Sequence, residues 1–177
     1  MRYYIDAIKR YVDFNGRTSR RGYWMFVLWN FIFSVVAQLL DRVFKTSLPF
    51  VTTFYVSGSG GKMPSNYTGL IAFLYSIFVF LPGISVTVRR LHDIGKSGWW
   101  YLFFIIVTII PAGLVAIVIS AFKTTNQSVL WLLLITLIAA VWITVWLATP
   151  SQMSPNKYGE IPDDIQKQMF TSDKTDN

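Results

Sequence analysis

The chain contains no cysteine, and that single absence removes disulfides, thiolate metal sites, a cysteine nucleophile and palmitoylation together. It has one histidine, so a zinc centre built on imidazole is not expected, and neither a metal nor any other cofactor is read from the residues. Charge is scarce as well: 14% of residues are Asp, Glu, Lys or Arg, where roughly 25% is usual. What stands in their place is apolar, 53% of 177 residues, gathered in long blocks. On so apolar a chain the net charge of +7 points to loops facing anionic lipid, and no nucleic-acid partner is expected.

Four stretches, 24–40, 69–88, 99–122 and 129–149, are long enough to cross a bilayer, where about 20 residues are needed at roughly 1.5 Å of rise each. None holds a charged residue, which speaks against an ion-coupled pump, because such pumps carry an ionisable group in the membrane. The first stretch is the weakest, being short and carrying Asn30 and Gln38. A polar segment precedes it and no small-x-small cleavage site follows, so it does not read as a signal peptide. The expected fold class is an all-α integral membrane protein with four transmembrane helices in a single membrane domain over 1–162. A polar, disordered tail over 163–177 is expected to follow.

Lys and Arg are unevenly shared between alternate segments. Arg2, Lys9, Arg10, Arg17, Arg20 and Arg21 precede the first span, Arg89, Arg90 and Lys96 join the second to the third, and Lys157, Lys167 and Lys174 follow the fourth. Arg42, Lys45, Lys62 and Lys123 are left for the other side. The positive-inside rule therefore puts both termini in the cytoplasm.

Ahead of the first span, Tyr4, Ala7, Ile8, Tyr11 and Val12 recur with helical spacing, while Arg2, Asp6, Lys9, Arg10 and Asp13 mostly lie opposite. Residues 2–13 thus read as an N-terminal amphipathic interfacial helix, resting on the bilayer or on its own bundle. Thr18 or Ser19 is placed to cap the first span. Ser57-Gly58-Ser59-Gly60-Gly61 has no side chains able to pack and reads as a flexible outer loop. Ala112, Ala116 and Ser120 form a small-residue stripe for close helix approach, and Pro82-Gly83 and Pro111 predict kinks.

Chemistry is densest from Arg89 to Trp100, a tight turn between the second and third spans. Gly95-Lys96-Ser97 imitates the end of a phosphate-binding loop, but Arg90 stands where that pattern needs glycine and no strand precedes it. His92-Asp93 lacks the further histidines of a metal-dependent hydrolase, and a Ser97-His92-Asp93 triad would need neighbours on one turn to converge. No catalytic residue and no enzymatic activity are therefore expected. A structural role accounts for the same residues: cations at a helix C-terminus, Asp93 paired with one of them, Gly95 and Gly98 allowing the reversal, Ser97 capping the next helix. Trp24, Trp99 and Trp100 suit the headgroup level as interfacial anchors. A functional role for the same cluster is binding of an anionic headgroup or a partner by Arg17, Arg20, Arg21, Arg89, Arg90, His92, Asp93 and Lys96, arginine being suited to phosphate by its planar fork.

The chain resembles the YhaH-like bacterial inner-membrane proteins, a domain of unknown function, in three places. Phe14-Asn15-Gly16-Arg17-Thr18-Ser19-Arg20-Arg21 with Tyr23-Trp24 looks like the family's opening motif. The run from Arg89 to Trp99 looks like its central signature, and Asn156-Lys157-Tyr158-Gly159 with Pro162 is similar to its closing motif. Thr149-Pro150-Ser151 departs from the family, which usually has a glycine there. The resemblance, over about 11–162, implies a bacterial plasma-membrane location and a helical membrane domain, and brings no activity with it. With the topology above, all three motifs fall on the cytoplasmic side, where they are expected to build one surface. The expected function is a multi-pass, non-enzymatic membrane module or adaptor with a basic cytoplasmic motif surface, its partners the bilayer, anionic phospholipids and another membrane protein. The alternative is a binder or transporter of an anionic lipid or small phosphorylated molecule.

Overall fold

The computed structural model describes residues 1–46, 69–108, 110 and 127–173. Described residues form six helices: α1 (Arg2–Lys9), α2 (Arg20–Phe44), α3 (Leu70–Asp93), α4 (Trp99–Thr108), α5 (Gln127–Ala148) and α6 (Asp163–Asp173). The Ser-Gly run at 57–61, Pro111 and the stripe of Ala112, Ala116 and Ser120 lie outside the described residues. By length and composition α2 and α3 can each cross a membrane. Both turn large apolar side chains outward: Phe31, Leu39, Leu74 and Phe80 are all more than half exposed, the reverse of a helix in a water-soluble core. α4 and α5 are apolar helices at the start of the third expected span and along the fourth.

By its packing the chain divides into two compact units. The first comprises residues 1–13 and 24–85. Here α1 buries Ala7 and lays Tyr4 against Phe26 and Phe33, with ring centroids 5.6 and 5.1 Å apart. The Tyr4 hydroxyl is 3.2 Å from that of Tyr75, which in turn donates to Asn30 Oδ1 at 2.6 Å. Asn30, the polar residue that weakens the first span on paper, is thus an inter-helix hydrogen-bond acceptor. The amphipathic face expected of α1 is divided: Tyr4, Ala7 and Tyr11 pack inward, whereas Val12 is 61% exposed.

Two backbone problems in α3 are each solved by one side chain. Pro82 has no N–H to offer the carbonyl of Phe78, four residues earlier, and the Tyr11 hydroxyl donates to that oxygen at 2.7 Å instead. At the start of α3 the free amides of Ile71 and Ala72 donate to the two carboxylate oxygens of Asp41 at 2.9 and 2.8 Å. Thr46 donates its hydroxyl to the same carboxylate, and its carbonyl accepts from Leu70 N–H at 3.2 Å. Gly69 is required beside this cap, because a Cβ there would fall within the Asp41 carboxyl group.

The second unit comprises residues 14–23 and 86–177. Its core is Leu91, Phe104 and Leu147, with Tyr23, Trp100, Tyr101 and Trp146 packed around them. Trp100, Phe104, Trp142 and Trp146 meet mainly edge-on, with Trp100 and Trp146 centroids 5.1 Å apart. In the segment for which the sequence predicts a disordered tail, Asp163–Asp173 is helical. Asp163 and Asp164 oppose its N-terminal dipole, and the Pro162 carbonyl accepts the first amides, from Ile165 and Gln166.

Candidate functional site

The site is the C-terminal end of α3, where Arg89 to Asp93 extend the helix past Val88, the last residue of its expected span. The helix stops in a reversal in which Lys96 N–H donates to Leu91 O at 2.8 Å and Gly95 N–H to His92 O at 3.0 Å. Gly95 takes the left-handed conformation this needs, φ 75°, and a Cβ on it would come within 2.6 Å of Gln152 Nε2. The polar strap after α5 then closes over the helix end. Gln152 N–H donates to Asp93 O at 3.3 Å and Asn156 Nδ2 to His92 O at 3.0 Å, so the carbonyls of Leu91, His92 and Asp93 all have donors.

Beneath the strap, two guanidiniums and one carboxylate are buried together. Arg17 Nε is 3.1 Å from Asp93 Oδ1, and Arg90 Nη1 pairs with Asp93 Oδ2, every one of these side chains being fully buried. Burial of three charges is unfavourable unless each is paired and its hydrogen-bonding capacity used. Here it is used: Arg17 also donates to the carbonyls of Ser154, at 2.8 Å, and Gln152. Arg90 donates through Nε to Leu147 O at 3.0 Å, through Nη2 to Thr149 O and through Nη1 to Ser151 Oγ at 3.2 Å. Arg90 therefore caps the C-terminus of α5, not that of its own helix, and its positive charge opposes the α5 dipole.

The opening motif is tied in by its backbone as well. Thr18 N–H donates to Arg89 O at 3.1 Å, and His92 hydrogen-bonds the backbone of Gly16. Ser19 caps α2 by accepting Gly22 N–H at 3.0 Å and donates to Asp164 of α6 at 2.5 Å. From the closing motif, the Tyr158 ring stacks flat on His92 with centroids 3.9 Å apart, and Lys157 stands over Tyr158 at 5.0 Å. Burial lowers the His92 pKa from its ordinary value; the Gly16 hydrogen bond works the other way and the charge of Lys157 adds to the lowering. The ring's Nδ1 is buried without a partner, so Nε2 is the nitrogen that serves Gly16.

The structure thus sorts the residues read from the sequence. Arg17, Arg89, Arg90 and Asp93 are interior, His92 is half-buried, and Arg20, Arg21 and Lys96 are exposed. Lys96 lies over the Trp146 ring at 4.8 Å. Trp99 is 77% exposed and Trp24 37%, while Trp100 faces inward onto Trp146. Among the described residues no group of His, Asp or Glu side chains is placed to hold a metal ion. Sequence reasoning missed the strap: Gln152, Ser154 and Thr149 act through carbonyls, which no side-chain pattern announces. Asn156 and Tyr158 do stand in the closing motif. Asp41 was missed too, since its partners are amides some thirty residues on.

Comparison with known proteins draws on the same segments. The model of the family described as "Protein of unknown function (DUF805)" matches residues 11–160. Among curated proteins, inner membrane protein YhaH of Escherichia coli (strain K12) is 39% identical over 106 residues, 60% of this chain and 74% of that protein. Inner membrane protein YhaI of the same strain is 31% identical over 106 residues, 60% of this chain and 73% of its own length. Uncharacterized protein YiiR of that strain is 27% identical over 156 residues, 87% of this chain and 88% of the relative. No solved structure matches. With a family model covering most of its length and relatives of these names, the chain is a bacterial inner-membrane protein and belongs to the family described as "Protein of unknown function (DUF805)".

Proposed function

We propose that the chain is a four-span inner-membrane module with both termini in the cytoplasm, and that its three motifs form a non-enzymatic cytoplasmic docking surface for another membrane protein. The observation that carries this reading is the way the arginines are used. Arg17 and Arg90 give every nitrogen of their guanidiniums to the chain itself, so the polar signature builds a rigid surface instead of holding those forks open for an anion. The cations left facing outward are Arg20, Arg21, Lys96 and Lys157, which suits an acidic partner. The four-span, N-in arrangement is supported by the Lys and Arg bias together with α2 to α5.

The test is photocrosslinking in cells from position 21, with reporter fusions at both termini and at Gly60. A discrete protein adduct that disappears in Arg20→Glu supports docking. Adducts to lipid alone favour the second reading, in which Arg20, Arg21 and Lys96 hold an anionic headgroup or a small phosphorylated molecule. One observation speaks for that second reading: no described residue forms an ion pair with Arg20 or Arg21 at the start of α2, close to the exposed Trp24. A reporter at Gly60 active in the cytoplasm would overturn the topology and both readings with it.

A further inference from the structure

α1 has a second apolar edge that its packing does not use. Tyr4, Ala7 and Tyr11 hold the helix against side chains of α2 and α3. About 90° around the axis, at roughly 100° per residue, Met1, Ile5, Ile8 and Val12 follow one another at steps of four, three and four. Met1 is 58% exposed, Ile5 46% and Val12, in the turn after the helix, 61%. On the far flank of that edge come Arg2 and Lys9, both exposed, and beyond them the acids Asp6 and Asp13. Around the helix the order is packed face, an apolar edge bare but for half-buried Ile8, basic row, acidic row, and then Arg10, which pairs with Asp13 at 3.0 Å.

From this order we infer that the edge formed by Met1, Ile5, Ile8 and Val12 is a docking face for the surface of an anionic lipid bilayer, with Arg2 and Lys9 at the level of the headgroup phosphates. The inference rests on the membrane-spanning reading above. A bilayer fits the three neighbouring faces at once: acyl chains for the apolar edge, phosphates for the basic row and water for the acids, which an anionic surface repels. A second copy or a protein partner would cover the apolar edge without accounting for the graded charge beside it. Of the residues the sequence periodicity singles out, only Ile8 and Val12 then meet lipid, since Tyr4, Ala7 and Tyr11 are spent on the bundle.

The absence of cysteine makes the test direct, because a single introduced cysteine carries the only label. Ile5→Cys, and separately Leu74→Cys on the exposed side of α3, are spin-labelled in the full chain and reconstituted into vesicles of phosphatidylglycerol and phosphatidylcholine. The collision of each label with oxygen, which concentrates in lipid, is compared with that of a water-soluble nickel chelate. Both labels are expected to meet oxygen and lose the chelate. For the Ile5 label the chelate is expected to return in pure phosphatidylcholine, or when Arg2→Gln and Lys9→Gln are added. If the Leu74 label is in lipid and the Ile5 label is open to the chelate in anionic vesicles, the inference falls and the spanning reading survives. Shielding of the Ile5 label from both reagents means a protein covers the edge and overturns it as well. Should both labels be open to the chelate, the spanning reading fails first.

Discussion

The two units solve the same problem, polar groups buried in an apolar chain, at different scales. In the first unit each fault in the backbone is met by one side chain: Asp41 for the free amides of α3, Tyr11 for the carbonyl Pro82 leaves open. In the second, one network of three charges, from segments 57 and 76 residues apart, serves the ends of two helices and the strap. The difference lies in redundancy. A local cap can be lost and the helix frays there, whereas a shared network loses several bonds when any member goes.

The sharpest break in that comparison is therefore Asp93→Ala. It leaves Arg17 and Arg90 buried without a counter-charge, and unfolding of the detergent-purified protein followed by circular dichroism should show a loss of about 3–5 kcal/mol. Exchange at the Ile71 and Ala72 amides, which belong to the other unit, should stay slow. A harder question is whether the arginines matter as ions or as donors. Replacing the whole triad, Arg17→Met, Arg90→Met and Asp93→Leu, removes the charge problem but strips donors from the carbonyls of Leu147, Thr149, Gln152 and Ser154. At about 1–3 kcal/mol for each orphaned group the triple variant should remain destabilised. A triple variant as stable as wild type would reduce the network to an ion pair.

In the first unit the expected losses are smaller and separable. Asp41→Ala should cost about 2 kcal/mol, the scale of a lost helix cap. Gly69→Ala should also destabilise, and should still do so in the Asp41→Ala background, where Cβ of residue 41 stays within 2.4 Å of the new methyl group; only Asp41→Gly, which removes that Cβ as well, should relieve it. Tyr11→Phe should cost about 1–2 kcal/mol by leaving Phe78 O bare. In Pro82→Ala the helix regains its own donor for that carbonyl, and Tyr11→Phe should then have almost no effect on the unfolding midpoint. Equal costs in both backgrounds would show that the hydroxyl is not there to mend the proline.

How much of this could be read in the sequence depends on the range of each interaction. The start of α2 at a Thr18 or Ser19 cap and the reversal at Gly95 depend on neighbours within a few residues and were legible, whereas the helix, Arg20–Phe44, outruns the expected span 24–40 at both ends. That the three motifs fold together was legible only from the shared side of the membrane that the Lys and Arg bias predicts. The reason they do so, arginine donors on strap carbonyls, was not, because a carbonyl is the same in every residue. Val12 was read onto one apolar face with the tyrosines and Ile5 was left off it, because tyrosines at 4 and 11 can serve either a bundle or a membrane surface. The helix at Asp163–Asp173 had its start signal in Pro162-Asp163-Asp164, and the polarity of the segment outweighed it.

The smallest expected effect belongs to His92, and it tests whether the second unit loses stability between pH 7.5 and pH 5. Its folded pKa is lowered by burial, opposed by the Gly16 hydrogen bond and reinforced by Lys157, while an unfolded histidine titrates near about 6.5. Below that value the unfolded chain binds the proton and the folded chain resists it, so stability falls as pH drops from about 6.5 towards the folded pKa. The unfolding midpoint of the wild type should therefore decline between pH 7.5 and pH 5 more steeply than that of His92→Gln, which has no ring to charge. Lys157→Gln should lie between them, since it removes one cause of the lowering and leaves the burial. The stack on Tyr158 is lost in His92→Gln at every pH, so that variant is offset throughout, and the difference in slope carries the test. Parallel slopes would mean that the ring is no more reluctant to charge when folded than when free.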